Sequence, residues 1–198
     1  MGGSAAVLHV HHRFSRDADH VLTDLKQRFD EILADLEGVA GWQTARVRRP
    51  VMILGSLDGI ETGVRQLIRA QPLETMQMEC DGQDLTVPTL PEILRIKGIL
   101  ILKRNATRDY LDFVALADSM GDEAVVAALR SFDDLYAQPN GQSSQQQLQV
   151  QLAKPLPYDL EETRLDEYKN LLPRWHNWSN VESVAANVAV VLLDNMDG

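Results

Sequence analysis

The chain changes its hydrophobic rhythm near residue 88, and that change bounds what it can fold into. From Trp42 to Val87 short apolar runs alternate with turns, which predicts strands at 45–47, 51–54, 61–68, 73–80 and 85–87. The turns fall at Leu57-Asp58-Gly59 and at Asp81-Gly82, the latter with the Asp-Gly composition of a tight hairpin. Ahead of the strands, Leu22, Leu25, Phe29, Ile32, Leu33 and Leu36 keep helical spacing, predicting a helix over 22–36 closed by Gly38 and Gly41. Beyond residue 88 helical spacing takes over. Thr89 reads as a cap, Pro91 as a first-turn residue and Glu92 as the capping-box partner of a helix burying Ile93, Leu94, Ile96, Leu100 and Ile101. Further helices are expected over 122–136 and 181–193, and the glutamine-rich run 142–151 reads as a loop or a solvated helix extension. The fold class is therefore α/β (α+β), a mixed sheet over 1–88 followed by a helical C-terminal portion over 89–198.

The opening of the chain carries its densest chemistry. Gly2-Gly3-Ser4 forms a small-residue turn whose backbone N–H groups can approach a phosphate, because glycine has no Cβ in the way. Ala5 to Val10 suits a short helix, whose N-terminus favours the same anion. Asp17 and Asp19 stand two apart, so on a strand both carboxylates point to one face, as a hard divalent cation requires. A solvated strand end explains such a pair equally well when it stands alone. His9, His11, His12 and His20 crowd the same region, but their spacing fits no standard metal site.

Composition narrows the setting. A formal charge of −10 argues against a protein that grips nucleic acid along its length, although Arg46, Arg48 and Arg49 form one basic patch and Arg95, Lys97, Lys103 and Arg104 another. The single cysteine, Cys80, excludes an internal disulfide and fits a reducing cytoplasm. No apolar run reaches spanning length and no signal-peptide pattern opens the chain, so a cytoplasmic location without membrane contact is expected.

Gly2, Gly3, Ser4, Ala5, Arg13, Ser15, Asp17 and Asp19 together resemble the signature of the AbiEii/AbiGii toxin family of DNA polymerase β-like nucleotidyltransferases. Lys97, Arg104, Arg108, Asp109, Asp112 and Leu116 are similar to that family's second motif. The resemblance covers most of residues 1–120. It implies transfer of a nucleotidyl group from a nucleoside triphosphate to an acceptor, the acceptor end of tRNA among the options, by a toxin with a winged-helix antitoxin as partner.

On that resemblance Asp17, Asp19, Lys97 and Asp112 are catalytic, and Gly3, Ser4, Ser15 and Arg108 hold the nucleotide. Asp17 and Asp19 would bind Mg²⁺ or Mn²⁺, with Glu61 ahead of Glu79 as candidate for a third metal carboxylate. Lys97 would either snorkel to the surface or face the phosphates. In that family structure precedes the Gly-Gly turn, whereas this sequence opens at Met1-Gly2-Gly3; that shortfall and the unresolved third carboxylate imply the alternative, an impaired member of the fold that acts as a binding or regulatory module.

Overall fold

The computed structural model describes residues 3–195; Gly2 of the opening motif lies outside the described residues. The chain is a mixed α+β protein with the element order expected from its change of rhythm. It divides into two units: residues 3–4 with 15–72, and residues 5–14 with 73–195. The division runs through helix α1 (Gly3–Val10) and again between Phe14 and Ser15.

The first unit is a four-stranded sheet in the order β1-β4-β3-β2, formed by β1 (Asp17–Leu22), β2 (Trp42–Arg48), β3 (Met52–Leu57) and β4 (Ile60–Gln66). β1 and β4 run parallel, and the remaining pairs are antiparallel. Asp58 and Gly59 join β3 to β4 with φ of 50° and 82°, the doubly left-handed pair that matches the twist of a two-residue hairpin. Helix α2 (Phe29–Glu37) buries Phe29 and Ile32 against Leu25, Ile53 and Val64, with Trp42, Leu33 and Leu36 packed around them.

The expected helix over 22–36 is corrected here. Its first half is the end of β1 followed by a turn, because Val21 and Leu22 pair with Arg65 and Gln66 of β4. Leu25 still enters the core, from the turn. Gly63 is glycine for a steric reason. A Cβ there would stand 2.6 Å from the Ile53 carbonyl oxygen and 2.5 Å from Leu54 Cδ2.

The second unit opens with a hairpin of β5 (Thr75–Cys80) and β6 (Gln83–Pro88), turned by Asp81 and Gly82 at φ of 50° and 74°. Helices follow: α3 (Leu90–Arg104), α4 (Thr107–Met120), α5 (Asp122–Leu129), α6 (Phe132–Leu135), α7 (Ser144–Ala153) and α8 (Trp178–Asp194). Thr89 caps α3 by accepting from the Glu92 N–H at 3.3 Å, and left-handed Asn105 ends it. The cap of α4 comes from far along the chain. Asp159 Oδ1 accepts from both the N–H and the hydroxyl of Thr107 at 2.7 Å, placing a carboxylate at the positive helix end.

Two further expectations change. The stretch 122–136 is two helices, α5 and α6, with Arg130 and Ser131 between them. The glutamine-rich run is helix α7, and its Leu148 and Leu152 are fully buried. Trp175 is buried, and Trp178 meets Tyr110 edge-on at 6.1 Å, so the tryptophan pair does anchor α8 within this unit.

Candidate functional site

In the sheet unit, β1 presents Asp17 and Asp19 two apart, and the parallel register sets Asp17 opposite Glu61 and Asp19 opposite Gly63. Alternation puts these residues on the face away from the Ile53–Val64 core. Ser15 Oγ donates to Asp17 Oδ1 at 2.8 Å, and Ser4 Oγ, 3.2 Å from Ser15 Oγ, donates to the Asp17 carbonyl. Arg65 Nε donates to Asp19 Oδ2 at 3.1 Å. Ser4, Ser15, Asp17 and Asp19 thus come together in one unit. Glu61 is exposed on the neighbouring strand. Among the described residues no three His, Cys, Asp or Glu side chains are arranged to hold a metal ion. Asp17, Asp19 and Glu61 share one face of the sheet.

The second constellation lies in the helical unit. Asp112, on α4, has no exposed surface and accepts four donations. Its Oδ1 takes His12 Nε2 and Arg13 Nε, both at 2.7 Å; its Oδ2 takes Arg13 Nη2 at 2.9 Å and Lys97 Nζ at 2.6 Å. One helical turn earlier, Asp109 Oδ1 lies 3.4 Å from Lys97 Nζ and accepts from Arg104 Nη2 at 2.8 Å, while its Oδ2 accepts from Arg104 Nε at 3.0 Å. Burial opposes the charge on Asp112, but Lys97, His12 and Arg13 outweigh it and hold the carboxyl far below its ordinary range. Both carboxylate oxygens are saturated, so Asp112 ties α3, α4 and the segment after α1 together.

Lys97 neither snorkels nor faces open space. It is 2% exposed, between two buried carboxylates. Arg95, from the same sequence patch, is also buried and bridges Glu74 and Glu92 at 2.6 and 2.8 Å, so only Lys103 and Arg104 of that patch reach the surface. Arg108 is exposed on α4, one position from the buried Asp109. His9 and His12 do not share a ligand: His9 Nε2 meets the Pro88 carbonyl at 2.7 Å, and His12 meets Asp112. Arg13 was visible in the sequence as a motif member. Its structural role, a bidentate clamp on Asp112, carries no local signal because its partner lies on a distant helix.

Beside the cluster, a cavity of about 310 Å³ is lined by His9, His11, His12, Asp118, Arg174 and Trp175, with apolar neighbours between them. Arg174 forks onto both Asp118 oxygens at 2.6 and 2.7 Å and stacks over Trp175, closing the rim with matched charge.

No family model matches the chain. Its similarities among characterised proteins are to mycobacterial transport proteins. It is 35% identical over 129 residues to the "Heme uptake protein MmpL11" of Mycobacterium tuberculosis, covering 64% of this chain and 13% of that protein. It is 33% identical over the same length to the "Mycolic acid-containing lipids exporter MmpL11" of Mycolicibacterium smegmatis, again 64% and 13%. The "Probable transport protein MmpL11" of Mycobacterium leprae is 31% identical over 129 residues, 64% of this chain and 12% of that protein. The chain spans about an eighth of the length of the relatives it matches.

These similarities overturn the nucleotidyltransferase reading. The resemblance to AbiEii/AbiGii toxins rests on short motifs, whereas the match to transport proteins runs through 129 residues. The assignment as a metal-dependent transferase and toxin is withdrawn with it. Gly3, Ser4, Ser15, Asp17, Asp19, Glu61, Lys97, Arg108 and Asp112 keep the places just described, but the roles that came through the resemblance lose that support. No helix among the described residues is long and apolar enough to cross a membrane.

Proposed function

We propose that this chain acts in membrane transport, as a folded α+β module of a transport system at the cytoplasmic face. The observation that carries this reading is the identity of 31–35% over 129 residues with proteins named for haem uptake, for lipid export or simply for transport. The cargo named for the relatives is of two kinds, haem and mycolic acid-containing lipids, and both are large amphipathic molecules. In this reading the Asp112 cluster is the rigid centre of the module, and cargo or partner contacts belong to its surface.

A chimera tests it. The matching segment of the M. smegmatis exporter is replaced by that of this chain, and surface lipid content is measured in cells lacking the native exporter. Retained export supports the proposal. A chimera that inserts into the membrane at normal abundance and exports nothing overturns it.

A further inference from the structure

The remaining basic patch of the sequence becomes a defined surface once the sheet register is known. On β2, Arg46 and Arg48 are exposed and two apart, so both lie on one face. Arg48 pairs in register with Met52, and Met52 with Arg65, giving a row of two guanidiniums flanking a thioether across three strands. Arg46 occupies the next row, beside Leu54 and Gly63. Arg65 is 41% exposed, with Nε on Asp19 and Nη1 on Met52 Sδ. Just past the end of β4 stands Ile68, 88% exposed, followed by Arg69, whose guanidinium holds the Gln71 and Pro72 carbonyls and stiffens the loop.

Nearby acids are largely committed. Asp30 is paired with Arg49, which also stacks over Phe29, and Asp24 and Glu31 are paired with Arg28. The acidic residues Asp17 and Glu61 begin their strands, while Arg65 and Arg69 lie toward and beyond the end of β4. The sheet unit is therefore charged oppositely at its two ends, and its basic end carries a bare isoleucine.

From this juxtaposition we propose that Arg46, Arg48, Arg65 and Ile68 form a docking surface for the anionic phospholipid face of a membrane. The Arg46 and Arg48 guanidiniums meet lipid phosphates, Arg65 stays paired with Asp19 in the same surface, and Ile68 enters the acyl boundary. Charge complementarity selects an anionic surface, and the apolar tip within the basic rim selects a bilayer over a soluble anion. The preference for a membrane over other anionic surfaces rests in part on the transport reading.

Vesicle flotation with the full chain tests it. Vesicles of neutral phosphatidylcholine are compared with vesicles containing a third phosphatidylglycerol, at low and at physiological salt. The chain floats with the anionic vesicles, and less so as salt rises. The Arg46→Gln/Arg48→Gln double variant lowers partitioning roughly thirtyfold, and Ile68→Ser lowers it roughly tenfold, both with unchanged circular dichroism. Equal binding to neutral vesicles, undiminished binding of the double variant, or full displacement by millimolar inorganic phosphate each overturns the proposal. A failure here leaves the chimera experiment unaffected, so the two readings fail separately.

Discussion

Replacing Asp112 by Asn tests the account of the helical unit most severely, because the substitution keeps shape and removes charge. In the native cluster Asp112 and Asp109 face Lys97, Arg13 and Arg104, with His12 beside them. Asp112→Asn leaves three cations against one carboxylate, with Lys97 and Arg13 still buried. Uncompensated buried charge of this kind costs about 3–5 kcal/mol. For a chain of this length that lowers Tm by roughly 6–20 °C. Lys97→Met behaves differently: Asp112 keeps His12 and Arg13, the charges are two against two, and the loss is about 1.5–3 kcal/mol.

Urea and thermal denaturation followed by tryptophan fluorescence in a Trp42→Phe background reads the helical unit, where Trp175 and Trp178 reside. The double variant Asp112→Asn/Lys97→Met is less destabilised than the sum of the singles, since the second change removes one of the stranded cations. If Asp112→Asn costs less than about 1 kcal/mol, or if Lys97→Met costs more than Asp112→Asn, the reasoning from charge balance is wrong.

Other outcomes follow from the same geometry. The folded-state pKa of Asp112 lies far below its unfolded value, so the unfolded chain takes up a proton that the folded chain refuses. Its contribution is complete above the unfolded carboxylate pKa of about 4 and is lost as pH falls below that; Asp112→Asn flattens this limb of a stability–pH profile. Burial pushes the Tyr110 hydroxyl up to about 12, so its contribution is present below its unfolded pKa and lost as pH rises through the folded one. Tyr110→Phe therefore weakens the alkaline limb of the same profile. Gly63→Ala forces a methyl against the Ile53 carbonyl and destabilises the sheet unit by about 1–3 kcal/mol, read from Trp42 emission in a Trp175→Phe/Trp178→Phe background. Asp159→Ala removes the distant cap of α4 and costs about 1 kcal/mol by urea denaturation.

Local chemistry made much of this fold legible. The Asp-Gly turns dictated two hairpins, Thr89 and Pro91 marked the start of α3, and Asp17 and Asp19 share a face on β1 as their spacing requires of any strand. Misreadings arose where a distant partner decided the outcome. Leu22 has helical spacing with Leu25 and Phe29, yet parallel pairing with β4 draws it into a strand. Lys97 lies within an apolar span that suggests snorkelling, and only Asp112, on the next helix, explains why it stays inside. The glutamine run hides Leu148 and Leu152 among polar neighbours, so its buried face is narrow. Function was the least legible: motifs of a few residues pointed to one chemistry and similarity over 129 residues to another.

The His12 carbonyl accepts from the Leu172 N–H at 2.8 Å, and Phe14 donates its own N–H to the Lys169 carbonyl at 2.7 Å. The helical unit thus holds a segment that precedes the sheet unit in the sequence, pinned by residues that follow it. During translation His12 and Arg13 leave the ribosome long before Asp112 and Leu172 exist to receive them. The sheet unit, encoded in between, is complete well before its host. The helical unit is therefore completed only once residues 169–172 have emerged, after all the residues of the sheet unit.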